Sequence, residues 1–410
     1  MNSEKINILY VEENQDGTTG GSHYCLLDLV RVIDKEKFNP TVMFYQTNHI
    51  TDQFKAAGAR VIIYPKPLGK DLSRLLAGTM MEVFSRNILF DIVQKAYNVL
   101  ATNIVPFIYF TLFILMNRIH IVHMNNSIFG GLEWVLATKV TGRKIIGHQR
   151  GYYHEIPPYC GVHSHMYDYI LGMSISTRDN LKSLGIDLSN YTTFYDRIDA
   201  DEFRKRMKRK PEDIRREFNI TEEQIIIGIV GNLQRWKGQL TVVDAVHLLS
   251  KKYPQLVCLL IGDASKTTED DVIYYKELQD RIQGFGLKNR IIVTGYRKDV
   301  PDILNMLDVF IHASTHPEPY GLVVLEAMVM GKAIVASNEG GPAEMIIDGE
   351  SGFLVAPSNP QALAGRLDNL VGDVELRKRM GANALKRMEE KFSSIDSAFI
   401  ENLYHKLLKG

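Results

Sequence analysis

Two carboxylates, Glu318 and Glu326, lie eight positions apart in the stretch HPEPYGLVVLEAMVM, on either side of a glycine and an apolar run. If the apolar run is a helix, Glu318 precedes it and Glu326 lies about two turns inside it, so both side chains can face one cleft. A carboxylate can hold the vicinal hydroxyls of a sugar with two hydrogen bonds. The pair therefore predicts a site with a sugar at each side.

The predicted start of this helix adds a phosphate site between the two acids. The N–H groups of Gly321, Leu322 and Val323 would form its first turn, where the helix dipole favours an anion. Two acids at this spacing occur often by chance, so the interpretation depends on the whole motif. The segment as a whole predicts binding of a sugar nucleotide.

Glycine turns that follow other apolar runs widen the predicted site. In open parallel sheets, ligands bind beyond the carboxyl ends of the strands, where such turns lead into helices. The turn VGNLQRWKG carries two cations, and later turns are IGDAS, VTGYRKD and ASNEGGPAEM. For any single glycine, closing a turn is the simpler explanation. The binding residues predicted from these turns are Gly231, Asn232, Arg235, Lys237, Gly262, Tyr296 and Arg297.

Strand-like apolar runs alternate with helical patterns along the chain, for example INILYV, PTVMFY, LVCLLIG and KAIVAS. Runs this apolar suit parallel strands covered on both faces, and the lengths between them suit crossover helices. The predicted fold class is α/β, with two Rossmann-like, doubly wound domains. The predicted bounds are 1–198 for the first domain, 199–222 for a charged linker and 223–390 for the second domain.

Composition excludes several classes of function. The 48 basic and 48 acidic residues cancel, which argues against nucleic-acid binding. Three widely spaced cysteines argue against a disulfide framework and favour a reducing compartment. The start, MNSEKINILYVEE, lacks the pattern of a secretion signal. We therefore expect a cytoplasmic protein, with the inner face of the membrane as an alternative location.

One segment, NIVPFIYFTLFILMN over 103–117, raises the question of a membrane. It is shorter than the roughly 20 apolar residues that a spanning helix needs, so no span is expected. A buried core helix is the simpler interpretation. The alternative is a patch that touches a membrane or a lipid acceptor.

The stretch EPYGLVVLEAMVMGKAIVASNEGGPAEMIIDGESGFLV, residues 318–355, resembles the signature block of the retaining glycosyltransferases of the GT-B fold, family four, also called group 1. GNLQRWKG, IGDAS and VTGYRKDVPDILNMLDVFIHAS resemble the family's other C-terminal motifs in order and spacing. TTGGSHYCLLDLVR resembles its N-terminal glycine loop, and FSSIDSAFIENLYHKLL its closing helix. The resemblance implies two domains facing a central cleft and a helix near 391–410 that packs on the first domain.

The same resemblance implies transfer of a sugar from a nucleotide diphosphate donor with retained anomeric configuration and without a bound metal or cofactor. UDP and GDP sugars are the donors considered, and the sequence does not choose between them. Glu318 would contact the hydroxyls of the donor sugar, Glu326 the ribose, and Lys237 the leaving diphosphate, where a preorganised cation helps most. His148, at the end of the run RKIIGH, would be catalytic by orienting donor or acceptor. The donor-binding residues implied in addition are Gly20, Gly21 and Tyr320.

The acceptor and the competing functions stay open. The N-terminal half is expected to bind a saccharide or a lipid-linked saccharide, as in bacterial envelope or polysaccharide synthesis. Asn232 stands where relatives commonly carry a second cation, so an inactive binding subunit is one alternative. A sugar-nucleotide epimerase or a phosphorylase on the same fold is another. The acids Asp199 and Asp201 have a spacing that can bind metal, but they follow no suitable strand.

Overall fold

The structure is a computed structural model that describes residues 4–14, 17, 19–67, 88–156, 162–264, 268–393 and 396–409. It contains two parallel sheets with helices, which confirms the predicted α/β class with two doubly wound domains. The chain divides into two compact units. The first consists of Met1–Gly172, Arg178–Phe194 and Asp396–Gly410, and the second of Met173–Thr177 and Tyr195–Ile395.

Seven parallel strands form the sheet of the first unit: β1 (Ile6–Glu12), β2 (Phe38–Phe44), β3 (Arg60–Ile63), β4 (Ile121–Met124), β5 (Lys144–Gln149), β6 (Tyr169–Gly172) and β7 (Tyr191–Thr193). Their order is β3-β2-β1-β4-β5-β6-β7. Every residue of β4 is buried, as expected of a strand with helices on both faces. The helices of this unit include α1 (Gly21–Val32), α2 (Thr51–Ala56), α3 (Ile88–Val99), α4 (Val105–Met116), α5 (Leu132–Val140) and α6 (Ile175–Ser183), whose first three residues belong to the second unit.

The apolar segment 103–117 is the end of a longer helical run. A π-helical turn, Leu100–Ile104, joins α3 to α4, so the run continues from Ile88 to Met116. Its part Phe90–Met116 is 27 residues long and, by length and composition alone, could cross a membrane. In the 18-residue stretch of this run with high hydropathy, only 22% of the residues are buried. The interpretation of the apolar segment as a buried core helix is therefore wrong for most of its residues.

Six parallel strands form the sheet of the second unit: β8 (Ile225–Val230), β9 (Leu256–Ile261), β10 (Ile291–Gly295), β11 (Val309–His312), β12 (Ala333–Ser337) and β13 (Phe353–Val355). Their order is β10-β9-β8-β11-β12-β13, so β8 and β11 are neighbours at the centre. The helices are α7 (Ala200–Lys205), α8 (Pro211–Glu217), α9 (Gln239–Leu249), α10 (Glu269–Gly284), α11 (Val300–Met306), α12 (Leu322–Val329), α13 (Gly341–Met345), α14 (Pro360–Gly372) and α15 (Val374–Lys391).

The segment predicted as a linker, 199–222, is folded into the second unit. It forms α7 and α8, and Phe203, Ile214 and Ile220 are buried in the core beneath the sheet. The two units therefore divide before Tyr195 and not at 198. The segment is charged because its outer faces are exposed, while one apolar side of each helix packs inward.

The last helix, α16 (Ser397–Lys409), packs in the first unit. Tyr404 is fully buried, and its hydroxyl lies 3.1 Å from the hydroxyl of Tyr10 and 2.9 Å from Nδ1 of His123. Phe399 stacks on Phe194 at 5.5 Å between ring centroids. The end of the chain thus contributes to the core of the unit that contains its beginning.

Candidate active site

Glu318 and Lys237 meet at the carboxyl ends of the two central strands of the second sheet. Lys237 lies on a 3-10 turn, Arg235–Lys237, that follows β8, and Glu318 lies in the loop after β11. Lys237 Nζ donates to Glu318 Oε1 at 2.8 Å, and the two side chains are only 15% and 13% exposed. The main chain joins the two loops, because Thr315 N donates to the carbonyl of Trp236 at 2.7 Å. The structure therefore brings together two of the predicted catalytic residues.

Two residues that sequence reasoning missed hold the other oxygen of Glu318. His312 Nε2 lies 2.7 Å from Oε2, and Ser314 Oγ donates to the same atom at 3.0 Å. Burial alone would raise the pKa of Glu318, but the bond to His312 and the charges of His312 and Lys237 outweigh burial and lower that pKa. Glu318 is therefore an ionised acceptor held in place by three partners.

Glycines hold the backbone on both sides of Glu318. Gly340 has φ of +75°, and a Cβ atom there would lie 2.3 Å from the carbonyl oxygen of Glu318. Gly321 has φ of +87° at the N-cap of α12, where a Cβ atom would lie 2.7 Å from Pro342 Cγ. Both positions need glycine because of the left-handed backbone and the close approach. Since α12 begins at Leu322, the N–H groups of Leu322 and Val323 have no acceptor within the helix.

The predicted turns after β8 and β9 lie side by side. A Cβ atom on Gly262 would lie 2.0 Å from the carbonyl oxygen of Gly231, so the two backbones are in contact. Gly231 also borders the Lys237 side chain, at 3.6 Å from where its own Cβ would lie. Asn232 is exposed beside them, and its carbonyl accepts from Gln239 Nε2 at 3.0 Å. The turn after β8 therefore places a glycine next to the methylene groups of the Lys237 side chain.

Two predicted binding cations are held by other carboxylates. Arg235 donates to Glu277 of α10 at 2.9 Å, and this bond raises the pKa of Arg235. Arg297 is bonded to Asp299 at 2.7 Å and to Glu217 at 2.6 Å, and these bonds raise the pKa of Arg297. Neither guanidinium shares the carboxylate that Lys237 contacts. A predicted contact of either arginine with a ligand would have to use the N–H groups that these carboxylates leave unbonded.

The two tyrosines predicted in the site have opposite environments. Tyr296 is 67% exposed directly after β10, where a ligand can reach it. Tyr320 is 2% exposed, and its hydroxyl donates to the carbonyl of Asp196. The side chain of Tyr320 therefore has no surface for a ligand, which corrects its assignment to the donor site.

Glu326 lies on α12, partly buried, near Arg206. Burial raises its pKa from 4.5 to about 7, and the charge of Arg206 opposes this effect. When the pKa of an acid is higher in the folded than in the unfolded protein, the folded protein binds more protons between the two pKa values. The free energy of unfolding therefore falls as pH rises from the unfolded to the folded pKa. The contribution of Glu326 to stability should therefore fall between about pH 4.5 and pH 7 and stay constant above.

We expect the variant Glu326→Gln to unfold at a higher temperature than the original protein at pH 8, and at a similar temperature at pH 4. At pH 8 the free energy of unfolding of the variant should exceed that of the original protein by at most about 3 kcal/mol, because each unit of pKa shift corresponds to 1.36 kcal/mol. Thermal unfolding at both pH values measures it. Glu375→Gln, at an exposed surface position, is the matched control. If the unfolding temperatures of the Glu326→Gln variant and the original protein changed equally between the two pH values, the raised pKa of Glu326 would be contradicted.

Three predicted site residues, His148, Gly20 and Gly21, lie in the first unit. Gly20 and Gly21 begin α1, are exposed, and have open space around the Cβ position of Gly20. His148 is the penultimate residue of β5 and is 1% exposed, with Nδ1 3.3 Å from Arg150 Nη2. Burial first, and then the charge of Arg150, lowers the pKa of His148 well below its usual value. The imidazole is therefore neutral, and it is as deeply buried as the side chain of Tyr320.

A chain of buried polar groups leads from His148 to α16. The His123 ring lies 5.8 Å from the His148 ring, and its Nδ1 contacts the Tyr404 hydroxyl at 2.9 Å. On the other side, Asn125 Nδ2 donates to Glu12 Oε2 at 2.6 Å. None of these partners was predicted, because they come from β1, from β4 and the residue after it, and from α16, which are far apart in sequence.

A second unpredicted cluster follows the carboxyl ends of β1, β3 and β4. Lys66 Nζ contacts a carboxylate oxygen of Glu133, and Glu13 lies against Gly131, whose Cβ would be 2.6 Å from Glu13 Oε1. Burial, then the neighbouring charge of Glu133, raises the pKa of Glu13 to about 8, against the effect of Lys66. At neutral pH this acid can donate a hydrogen bond, and Glu133 can accept one.

The acids considered for metal binding have structural roles. Asp199 caps α7 by accepting from Glu202 N at 2.9 Å, and Asp201 is exposed beside Arg204. Within the described ranges, no three His, Cys, Asp or Glu side chains form a group that could hold a metal ion.

Comparison with known proteins places this geometry in context. Residues 210–387 match the family model described as Glycosyl transferases group 1. The "Capsular polysaccharide biosynthesis glycosyltransferase CapM" of Staphylococcus aureus is 27% identical over 191 residues, covering 46% of this chain and 48% of that protein. The "Lipopolysaccharide core biosynthesis mannosyltransferase LpcC" of Rhizobium leguminosarum bv. viciae is 29% identical over 184 residues, covering 45% and 51%. The chain spans about half the length of the curated relatives it matches.

Solved structures match the whole chain at lower identity. A glycosyltransferase from Rickettsia africae ESF-5 has a TM-score of 0.78 at 21% identity and covers 100% of both chains. Alr3699/HepE of Anabaena, solved in complex with UDP, has a TM-score of 0.74 at 21% identity and covers 98% of this chain and 100% of that chain. At these identities the likeness shows the fold, and it confirms the predicted fold class.

Proposed function

We propose that the chain is a group 1 glycosyltransferase, the family whose model its residues 210–387 match, and that it transfers a sugar from a nucleotide diphosphate sugar to a saccharide or lipid-linked saccharide. The observation that carries this proposal is the ion pair of Lys237 and Glu318 at the carboxyl ends of the two central strands. One partner is suited to a diphosphate and the other to sugar hydroxyls. A donor molecule carries both groups joined together.

Binding of the donor would exchange the partners of this pair. The diphosphate takes Lys237 as its counterion, with the N–H groups of Leu322 and Val323 at the start of α12 as further donors. Glu318 Oε1 is then free to accept from the sugar hydroxyls, while His312 and Ser314 keep Oε2 in place. Glu326 is assigned to the ribose, and His148 of the first unit to orienting donor or acceptor.

Charge develops on the diphosphate as the bond to the sugar breaks. Lys237 stabilises that charge, and because it is fixed beforehand little reorganisation is needed in the transition state. Transfer with retention of anomeric configuration rests on the family resemblance of residues 318–355. The UDP named in the related Anabaena structure makes a uridine donor the first to test, with a GDP sugar second.

The acceptor is assigned to the first unit. Its cluster of Glu13, Lys66 and Glu133 offers both donors and acceptors to hydroxyl groups. Relatives named for capsular polysaccharide and lipopolysaccharide core synthesis support an acceptor in the bacterial envelope. We place the protein in the cytoplasm, with a peripheral contact to the membrane where a lipid-linked acceptor is presented.

A panel of labelled UDP and GDP sugars, incubated with and without membrane extracts as a source of acceptor, tests the function. Transfer to acceptor, or slow release of nucleotide diphosphate without it, supports a glycosyltransferase. Interconversion of the labelled sugar nucleotides would show an epimerase, and binding without any turnover would show an inactive subunit. Either outcome would overturn the proposal.

We expect turnover to persist in excess EDTA, because charge neutralisation is assigned to Lys237 and helix N–H groups. The rate of nucleotide diphosphate release should change less than twofold, roughly the uncertainty of such assays, against a metal-dependent transferase as control. If EDTA abolished turnover and manganese restored it, the assignment would be contradicted. The result would instead indicate metal binding by Asp199 and Asp201.

A further inference from the structure

The helical run from α3 to α4 exposes an unusual amount of apolar surface. Among the side chains that the structure describes in α3 and in the π-helical turn, none is buried. Along the run, 12 large apolar side chains are at least 36% exposed. They are Ile92, Val93, Tyr97, Val99, Leu100, Ile104, Val105, Ile108, Tyr109, Leu112, Leu115 and Met116. A surface of this kind marks an interaction site.

The neighbouring helix α5 extends this apolar surface. On α4 and the preceding turn, Ile104, Ile108, Leu112 and Met116 recur every four residues and so share one helix face. On α5 the exposed residues Leu132, Leu136 and Val140 have the same spacing. The two helices are packed together, since the rings of Phe110 and Trp134 stack at 3.6 Å between centroids. We call these seven exposed residues the apolar surface.

This surface suits a bilayer interface and not a span. The inner side of α4 is fixed to the sheet, because Phe110, Phe113 and Ile114 are buried in the core of the first unit. In α3 the polar residues Asp91, Gln94, Lys95 and Asn98 recur every three or four positions, so that helix is amphipathic. A helix with one polar and one apolar face lies in the plane of the interface.

Cations border the apolar surface where α4 and α5 end. The two most exposed members of the surface are Met116 at 81% and Val140 at 69%, and Arg118 and Arg143 follow them by two and three residues. The two helix ends are adjacent, because the strands that follow them pair at Ile121 and Lys144.

The border as a whole is positive. Arg60 joins it through a bond to Asn117 Oδ1 at 2.6 Å. Glu4 and Asp168 are the carboxylates paired with cations there: Glu4 lies 3.6 Å from Arg118, and Asp168 contacts Lys139 and Lys144. The five cations of the border are Arg60, Arg118, Lys139, Arg143 and Lys144. They outnumber the two carboxylates, which suits the negative charge of lipid headgroups.

We propose that the apolar surface docks on a bilayer of anionic lipids, with Met116 and Val140 in the acyl region and the bordering cations at the headgroups. The membrane contact included in the proposed function rests on this surface, and the surface would bring a lipid-linked acceptor to the first unit. A second copy of the chain could cover the same apolar residues, but five cations facing their own copies would repel. The charge therefore favours lipid.

Sedimentation of the full chain with vesicles tests the docking. We expect binding to phosphatidylcholine vesicles that contain phosphatidylglycerol, and at least tenfold weaker partitioning to phosphatidylcholine alone. Ile108→Glu combined with Leu112→Glu should reduce partitioning tenfold or more, and Arg60→Gln with Arg118→Gln should reduce it on anionic vesicles only. The control is Val272→Glu combined with Ile273→Glu, a pair of equally exposed apolar residues on α10.

Equal sedimentation of the Ile108→Glu, Leu112→Glu variant and the control, or no binding to anionic vesicles, would overturn the proposal. A dimer in solution that the same variant dissociates would show that a second copy covers the surface instead. Binding of UDP and GDP is measured on every variant. If a variant loses vesicle binding but still binds UDP or GDP, the apolar surface is separate from the transferase site. If the protein binds vesicles but neither nucleotide, the proposed function fails while the docking stands.

Discussion

Replacing Glu318 by alanine should lower the rate of sugar transfer by two or more decades while the protein stays folded. Its carboxylate is ionised, only 13% exposed and held through Oε2 by His312 and Ser314, so it is positioned before the donor arrives. If its bonds to the sugar tighten as the reaction proceeds, their loss costs on the order of 3 kcal/mol of transition-state stabilisation. Release of nucleotide diphosphate from the active donor measures the rate.

Two further variants make this experiment decisive. Glu318→Gln keeps the size of the side chain but removes its charge, so it should also be slow. Glu375→Ala removes an exposed carboxylate of the same unit and should leave the rate unchanged. Thermal unfolding checks that each protein is folded. A folded Glu318→Ala protein with near-normal turnover would refute the assignment of this residue.

The fold could be predicted because its strands are nearly pure apolar runs. LVCLLI became β9, Leu256–Ile261, and every residue of it is buried. AIVAS became β12 in the same way. In a parallel sheet covered on both faces, burial does not alternate, so the run itself identifies the strand. What such runs do not contain is the order of the strands, which depends on packing between segments distant in sequence.

The pairing of Lys237 with Glu318 shows where the prediction succeeded and where it stopped. Both residues were expected at carboxyl ends of strands, which a glycine turn after an apolar run is enough to indicate. Their 2.8 Å contact depends on β8 and β11 being neighbours, which no local pattern contains. His312 was overlooked because a buried strand ending in histidine has no distinctive motif.

The prediction of site residues has a common limit, which is that a motif fixes the position of a residue but not the direction of its side chain. Arg235 and Arg297 lie in the predicted turns, yet each is bonded to a carboxylate from another segment, Glu277 and Glu217. Those partners are 42 and 80 residues away in sequence. Tyr320 likewise lies in the predicted loop but turns inward.

The helical run before β4 was underestimated for a different reason. Its most apolar part was recognised, but the preceding turns carry polar residues such as Asp91 and Asn98 that interrupt the apolar run. Helices tolerate such interruptions at intervals of three or four residues, since they fall on one face. A search for helical periodicity would have extended the segment to α3.

Replacing Lys237 by alanine should weaken nucleotide diphosphate binding about tenfold, near 1.4 kcal/mol, and slow turnover by two or more decades. The ammonium group is assigned to the diphosphate, so UDP or GDP without a sugar is enough to measure the first effect by titration calorimetry. Glu318→Ala should behave differently in that measurement. It frees Lys237 from its 2.8 Å ion pair, so the affinity for UDP or GDP should be unchanged or higher.

The double variant Lys237→Ala, Glu318→Ala distinguishes a coupled pair from two independent residues. If both act on one bound donor, the double variant should be little slower than either single variant, because residues that act as a unit are strongly non-additive. Lys378→Ala, at an exposed lysine of the same unit, is the matched control. Two results would contradict this division of the donor into a sugar held by Glu318 and a diphosphate held by Lys237. One is a rate loss in the double variant equal to the product of the two single losses. The other is a Glu318→Ala protein that binds UDP and GDP as weakly as Lys237→Ala.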